Sequence, residues 1–269
     1  MIADRTATIG DPPRPGHGGP SDSAGVDKSG DRVRGMFAEI APRYDLVNRL
    51  LSGGIDVLWR RTTVRRAPPP PAGAMLDVCC GTGDLALAYA VKAGPAVRIV
   101  ASDFCRPMLD RGEVKAAKAG RAIEWVEADA MRLPFAADEF DLVTVAFGLR
   151  NIADTARGLA EMARVTKPGG KLAILEFSLP RSALIRSGYL WYFRNVLPRL
   201  GNAVARNGTD AYTYLNQSVE EFPSGERLAT LVRAAGFDTV EMIPLTFGIA
   251  TLTIATRTAA PATMGAGRG

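Results

Sequence analysis

Apolar positions recur along this chain with two different periods. From Val33 to Leu51 they fall at helical spacing (Met36, Phe37, Ile40, Tyr44, Val47, Leu51), with a break at Pro42. Asp56–Arg66 reads as a further helix, ended by Pro68-Pro-Pro-Pro71, since proline lacks the N–H a helix interior needs. Beyond the prolines, short apolar runs alternate with helical stretches. Strands are predicted at Met75–Cys79, Val97–Ser102, Ile123–Ala128, Phe140–Ala146 and Lys171–Phe177, and helices at Asp84–Lys92, Pro107–Ala119 and Thr155–Val165. This alternation implies parallel strands joined by right-handed crossovers, hence an α/β fold. The end differs: a helix over Gly225–Ala235 is followed by strands at Asp238–Ile243 and Ile249–Ala255, a hairpin that puts one antiparallel strand in the sheet.

Composition sets the boundaries. Residues 1–30 are rich in Gly, Pro, Ser and Asp and have little to bury, so they read as a disordered tail, as do 258–269. Between them lies one domain, 31–257, with a helical cap (31–67), a core (74–180), a helical insertion (181–222) and a closing helix and hairpin (223–257). At 269 residues and 47% hydrophobic, such a chain can bury a full core. No apolar run reaches the ~18 residues of a membrane span, and the N-terminus lacks the apolar stretch of a secretory signal. Three cysteines, two of them adjacent (Cys79, Cys80), form neither a disulfide framework nor a metal knuckle, which fits a reducing, cytoplasmic setting. The single histidine, His17, lies in the tail, so the folded part has no Ser-His-Asp chemistry and no histidine-held zinc; no metal site is expected.

The net charge of +5 is localised. Arg181, Arg186, Arg194, Arg199 and Arg206 occur with no acidic residue among them, around Tyr189-Leu-Trp-Tyr-Phe193, and Arg60, Arg61, Arg65 and Arg66 follow Trp59. Aromatics among arginines suit the boundary of an anionic membrane, where cations meet headgroups; an ordinary solvated helix is the plainer reading. Nucleic acid is disfavoured: the arginines interleave with a dense aromatic cluster, and no separate binding module or target-amine string such as N-P-P-Y is present.

The candidate chemistry gathers after the first strand. Gly81-Thr82-Gly83 turns the chain from strand to helix and lets a ligand approach the backbone. Its match to a dinucleotide fingerprint is weak taken alone. A pyrophosphate needs a helix N-terminus free of negative charge, whereas Asp77 precedes the turn and Asp84 opens the helix, an arrangement better suited to an ammonium and a sulfonium. Asp84 could equally be a helix N-terminal charge. Asp103, about 20 residues past the glycines, can accept both hydroxyls of an adenosine ribose, which does not separate NAD from S-adenosylmethionine. Asp129-Ala130, after the third strand, suits an adenine amino group and ring nitrogen. Phe147-Gly-Leu-Arg-Asn151 follows the fourth strand toward the same mouth, and Lys167-Pro-Gly-Gly170 leads into the fifth.

In that order these pieces resemble the class I (Rossmann-like) S-adenosylmethionine-dependent methyltransferases. Longer strings narrow the resemblance. Met36-Phe-Ala-Glu-Ile-Ala-Pro-Arg-Tyr-Asp-Leu-Val-Asn48, Trp59-Arg-Arg61, Leu76-Asp-Val-Cys-Cys-Gly-Thr-Gly-Asp84, Phe147-Gly-Leu-Arg-Asn-Ile152, Leu175-Glu-Phe-Ser178, Val196-Leu-Pro-Arg-Leu-Gly201 and Tyr212-Thr-Tyr-Leu-Asn-Gln-Ser218 look like the ubiquinone/menaquinone C-methyltransferase family, from about Val33 to Thr256. One string departs: the family usually shows T-G-G-I near the end, and here Thr246-Phe-Gly-Ile249 places a bulky Phe247 in the hairpin.

The resemblance implies S-adenosylmethionine as cofactor, held by Asp77, Gly81, Thr82, Gly83, Asp103, Asp129 and Ala130. It also implies C-methylation of a polyprenylated quinol, demethylmenaquinol or a methoxy-polyprenyl-benzoquinol; another small acceptor is the alternative. A quinone carbon is electron-poor, so the acceptor must be the hydroquinone, and much of the rate should come from orientation and water exclusion. Without histidine, the candidates for handling the hydroxyl proton are Tyr44, Asp45, and Arg150 through a polarised water. Arg150 is favoured as phenolate stabiliser and Asn151 as orienter, the alternative being a buried network that ties the fourth strand to the cap. A greasy substrate fits a cytoplasmic protein peripheral at the inner face of the cell membrane, and a homo-oligomer is compatible with the sequence.

Overall fold

The computed structural model describes residues 30–180, 182–195, 214 and 217–258. Both predicted tails fall outside these residues, apart from Gly30 and Thr258, as do Arg181, Arg199, Arg206 and most of the Val196–Gly201 and Tyr212–Ser218 strings. Three helices come first: α1 (Gly30–Ile40), α2 (Tyr44–Leu51) and α3 (Ile55–Arg66), with a 3-10 turn at Ala41–Arg43 where Pro42 breaks the rhythm. The core then runs β1 (Gly73–Val78), α4 (Asp84–Ala90), β2 (Val97–Asp103), α5 (Arg106–Lys118), β3 (Glu124–Glu127), β4 (Phe140–Ala146), α6 (Thr155–Val165) and β5 (Thr166–Phe177). The described remainder includes α7 (Ala183–Asn195), α8 (Glu226–Ala234), β6 (Phe237–Leu245) and β7 (Ala250–Arg257).

The strands form one seven-stranded sheet in the order β3-β2-β1-β4-β5-β7-β6. β7 is antiparallel to both its neighbours, β5 and β6, and the other pairs are parallel. Alternate residues of each central strand point to opposite faces, and both faces are covered. Leu76, Val78, Val143 and Ile174 pack with Leu159 and Met162 of α6 and with Leu228 and Val232 of α8. Met75, Ile99, Leu142 and Ala173 pack with Leu85, Ala86 and Tyr89 of α4 and with Val64 of α3. Burial on both sides explains why these strands read as continuous apolar runs.

β5 starts five residues earlier than its apolar run. Thr166 pairs with Phe140, the register then shifts, and Lys171 pairs with Leu142, so Lys167–Gly170 loops out inside the strand. Asp141 straps this bulge, accepting from Lys167 Nζ at 2.8 Å and from the Ala74 N–H at 2.9 Å. Strand order switches between β1 and β4: β2 and β3 lie on one side of β1, and β4 and β5 on the other. The carboxyl ends of β1, β2 and β4 are thus left open to one hollow, the place where ligands enter open α/β sheets.

Candidate active site

That hollow is a cavity roofed by the N-terminal helices. Its floor includes Gly81, Thr82, Asp103, Asp129, Ala130 and Asn151; Phe37, Tyr44 and Arg60 reach in from α1, α2 and α3. Asp77 lines it too, whereas Gly83, Asp45 and Arg150 do not.

The two aspartates at the strand ends hold the turn in shape. Asp103 accepts from the Gly81 N–H at 2.8 Å and from the Cys105 N–H at 2.9 Å. Burial pushes its carboxyl up to about 6, against the pull of those backbone N–H groups. Asp77 accepts from the Ala86 N–H at 3.1 Å and from Thr144 Oγ1 at 2.7 Å, so it ties β1 to α4 and β4, and burial pushes it up to about 7. Asp129 accepts from the Met131 N–H at 2.8 Å. Cys79 and Cys80 line the cavity as thiols raised well above their ordinary range by burial and the neighbouring carboxylates.

Gly83 turns the chain at φ +76° and serves packing. A Cβ there would lie 2.3 Å from Trp125 Cη2, and one at Gly112 of α5 would lie 2.4 Å from the same atom. The indole is wedged between two glycines, which sets the distance between the turn and α5.

Asp84 differs from its sequence expectation. It presents no free carboxylate to a cation, because it pairs with Lys115 of α5 and lies 3.9 Å from Arg60 and 3.7 Å from Arg49. Burial alone would raise its carboxyl; Lys115 and the arginines hold it below the usual range. Any preference for a cationic ligand therefore rests on the other acids of the cavity.

Phe147, in the left-handed region at φ +58°, forms the far wall. Its ring lies 4.6 Å from that of Phe177 and 5.9 Å from that of Trp59, and the Arg60 guanidinium sits 5.7 Å above it. Its carbonyl accepts from Arg150 Nη1, and from Asn151 Nδ2 at 3.4 Å. Arg150 lies behind this wall in a buried ion pair with Glu176, 2.8 Å away. Its charge nevertheless reaches Tyr44, whose phenol is raised by burial and drawn back in part by Asn48, Arg150 and Arg60. Asn151 Oδ1, by contrast, is buried without a partner on a residue that lines the cavity. A buried acceptor left open is costly unless a ligand completes it.

Asp45 lies in the seam between cap and turn, where it accepts from Thr82 Oγ1 at 2.5 Å and from Lys115 Nζ at 2.9 Å. Sequence reasoning missed Lys115, Trp125, Arg60 and Glu176 as parts of this site. Arg60 and Glu176 stood inside quoted strings, Trp59-Arg-Arg61 and Leu175-Glu-Phe-Ser178; Lys115 and Trp125 carried no local signal. Among the described residues, no group of three or more His, Cys, Asp or Glu side chains could hold a metal ion, and no helix is long and apolar enough to cross a membrane.

The chain is similar to known proteins. A model of the ubiE/COQ5 methyltransferase family matches residues 26–257. The demethylmenaquinone methyltransferase of Deinococcus radiodurans is 50% identical over 221 residues, 82% of this chain and 90% of that protein. That of Thermus thermophilus is 46% identical over 222 residues, covering 82% and 100%. The ubiquinone/menaquinone biosynthesis C-methyltransferase UbiE of Geobacter sulfurreducens is 47% identical over 230 residues, covering 84% and 89%. Among solved structures, a SAM-dependent methyltransferase from Aquifex aeolicus superposes with a TM-score of 0.59 at 16% identity, over 80% of this chain and 98% of that one, a likeness of fold. With its glycine turn, its acids at the strand ends and its matched length, the chain belongs to the ubiE/COQ5 methyltransferase family.

Proposed function

We propose that this protein transfers a methyl group from S-adenosylmethionine to a ring carbon of a polyprenylated hydroquinone. The observation that carries the reading is the two-sided cavity. One side is polar, built from the Gly81–Thr82 turn, Asp103 and Asp129–Ala130; the other is aromatic, built on Phe147 and edged by the open acceptor Asn151 Oδ1. The names carried by relatives near half identity support the choice of acceptor.

The polar side fits the cofactor: Asp103 would hold the ribose hydroxyls, Asp129 and Ala130 the adenine edge, and the Gly81–Thr82 turn the amino-acid end. Bound there, S-adenosylmethionine supplies an electrophilic methyl group on a cationic sulfur. The protein's own groups prepare the acceptor. Asn151 Oδ1 takes the hydrogen bond of one ring hydroxyl and so orients the ring against Phe147. The proton is lost to water from the other ring hydroxyl, and Arg150, fixed behind the wall by Glu176, favours that loss by its positive charge. After methyl transfer the hydrogen left on the ring carbon is released and that oxygen is reprotonated. Tyr44, held neutral by burial, donates to that oxygen rather than acting as a base. Asp45 stands outside the cavity and keeps the cap in place.

We read α7 as the contact with an anionic bilayer from which the prenyl tail is drawn. Leu184 is 84% exposed, Trp191 is 63% exposed, and the helix carries no acidic residue. Phe247, 78% exposed at the β6–β7 turn, adds a further apolar tip. Such a protein would sit at the inner face of the cell membrane. The reading is tested by offering purified protein labelled cofactor with a demethylated naphthoquinol and a methoxy-polyprenyl-benzoquinol in competition. Label should enter one or both, and label in neither acceptor would refute it.

A further inference from the structure

Lys115 is a lysine of α5 that does not line the cavity yet touches Thr82 and Asp84, which do. Its ammonium lies 3.1 Å from Thr82 Oγ1 on the cofactor turn and 2.9 Å from Asp45 Oδ2 on α2, and it pairs with Asp84 at the start of α4. Asp45 closes the triangle by accepting from Thr82 Oγ1 at 2.5 Å. One cation thus joins three elements, two from the cofactor fold and one from the roof. Outward, the network continues through Arg49 and Arg60 to the buried Asp56, whose carboxylate also accepts from Ser52 Oγ at 2.8 Å.

A single exposed ion pair contributes little. A cation held between two carboxylates of separate elements does more, because its loss changes the sign of the force between them. With Lys115 removed, Asp45 retains the Thr82 hydroxyl and Asp84 retains Arg49 and Arg60 at 3.7 and 3.9 Å, but the cation that held the two carboxylates together is gone, and the like charges repel. The repulsion would push α2 off the turn. Tyr44, the residue before Asp45, would move with it, and its ring now sits 3.6 Å from where a Gly81 Cβ would be.

We propose that Lys115 is a positioning residue that latches the helical cap onto the cofactor turn, so that the methyl donor is gripped only while α2 is seated. This rests on the cavity being the S-adenosylmethionine site. The latch acts through Asp45, Thr82 and Tyr44, so its loss falls on the KM for the cofactor far more than on kcat. The two carboxylates become the source of the defect, which makes the defect reversible by removing one of them.

The test is calorimetric titration of the full chain with S-adenosylmethionine, paired with cofactor KM and kcat. The variants are Lys115→Met, Lys115→Arg, Asp45→Asn and the double variant Lys115→Met/Asp45→Asn. Lys115→Met should weaken cofactor binding about tenfold, within the ordinary span of coupling between sites. Lys115→Arg should restore most of it, and the double variant should bind severalfold better than Lys115→Met alone. Asp45→Asn by itself should show a smaller loss, readable even if Lys115→Met does not fold. Binding by Lys115→Met equal to the unaltered chain, or a double variant no better than Lys115→Met, would overturn the latch. An unaltered chain that binds no S-adenosylmethionine would overturn the reading of the cavity itself, a result seen before any variant is made.

Discussion

Gly83 shows how much a single residue carries at this site. Its Cα sits against the Trp125 ring at a positive φ, so Gly83→Ala meets both a clash and a conformation that L-residues avoid. We expect a loss of about 2–4 kcal/mol from overpacking and backbone strain together. Denaturant unfolding should show a lowered midpoint, and an unchanged midpoint would contradict the packing account. Asp103 makes the second residue-scale prediction. Burial raises its carboxyl to about 6, so in the free protein it is ionised only above that pH. Accepting ribose hydroxyls calls for the ionised form, and cofactor affinity should be level above about pH 6 and fall about tenfold per pH unit below it. Asp103→Asn should flatten the profile, which separates this group from Asp77; an unaltered chain with equal affinity from about pH 5 to 7 would refute the assignment. For stability the sign is opposite. Both carboxyls are raised, so their favourable contribution is complete below the ordinary 3.8 and is lost as pH rises through about 6 for Asp103 and about 7 for Asp77. Asp103 and the glycines were legible because strand-end position follows from local pattern. The partners of Asp84 and Arg150 were not: Lys115 and Glu176 lie 31 and 26 residues away, and no local rule pairs them.

At the level of elements, hydrophobic period located nearly every helix and strand of the described residues, because each buries one stripe or two faces. It failed where long-range pairing sets the boundary. The bulge in β5 is fixed by Asp141 and by the register with β4, neither visible in the run Thr166–Gly170. The β6–β7 connection is likewise tertiary: Thr246 takes a hydrogen bond from Trp59 Nε1 at 2.8 Å, and Thr246 and Phe247 both adopt positive φ. Glycine, which the resemblance leads one to expect at Phe247, would relax that backbone, so the exposed ring stands there at a conformational cost. Helix α7 and this turn carry the membrane reading. Trp191→Ala together with Phe247→Gly should reduce co-sedimentation with vesicles containing anionic lipid at low salt, while leaving the fold intact by circular dichroism. Equal sedimentation of the double variant and the unaltered chain would remove both residues from the contact.

For the molecule as a whole, alternation and handedness gave a parallel α/β sheet, while the place of β7 between β5 and β6 depends on pairings across the chain that periodicity does not encode. The sheet order leaves one hollow, the cap roofs it, and the chemistry follows from what lines each side. A hydroquinone can push electrons onto its ring carbon; the oxidised quinone cannot. The most direct measurement is therefore transfer of labelled methyl from S-adenosylmethionine by the purified protein, with one polyprenylated acceptor supplied either reduced or oxidised, and the product mapped by mass spectrometry. Label on a ring carbon with the reduced acceptor and none with the oxidised one is the predicted result. Label on an oxygen, equal transfer to both forms, or tight binding of a nicotinamide dinucleotide with no transfer at all would contradict it.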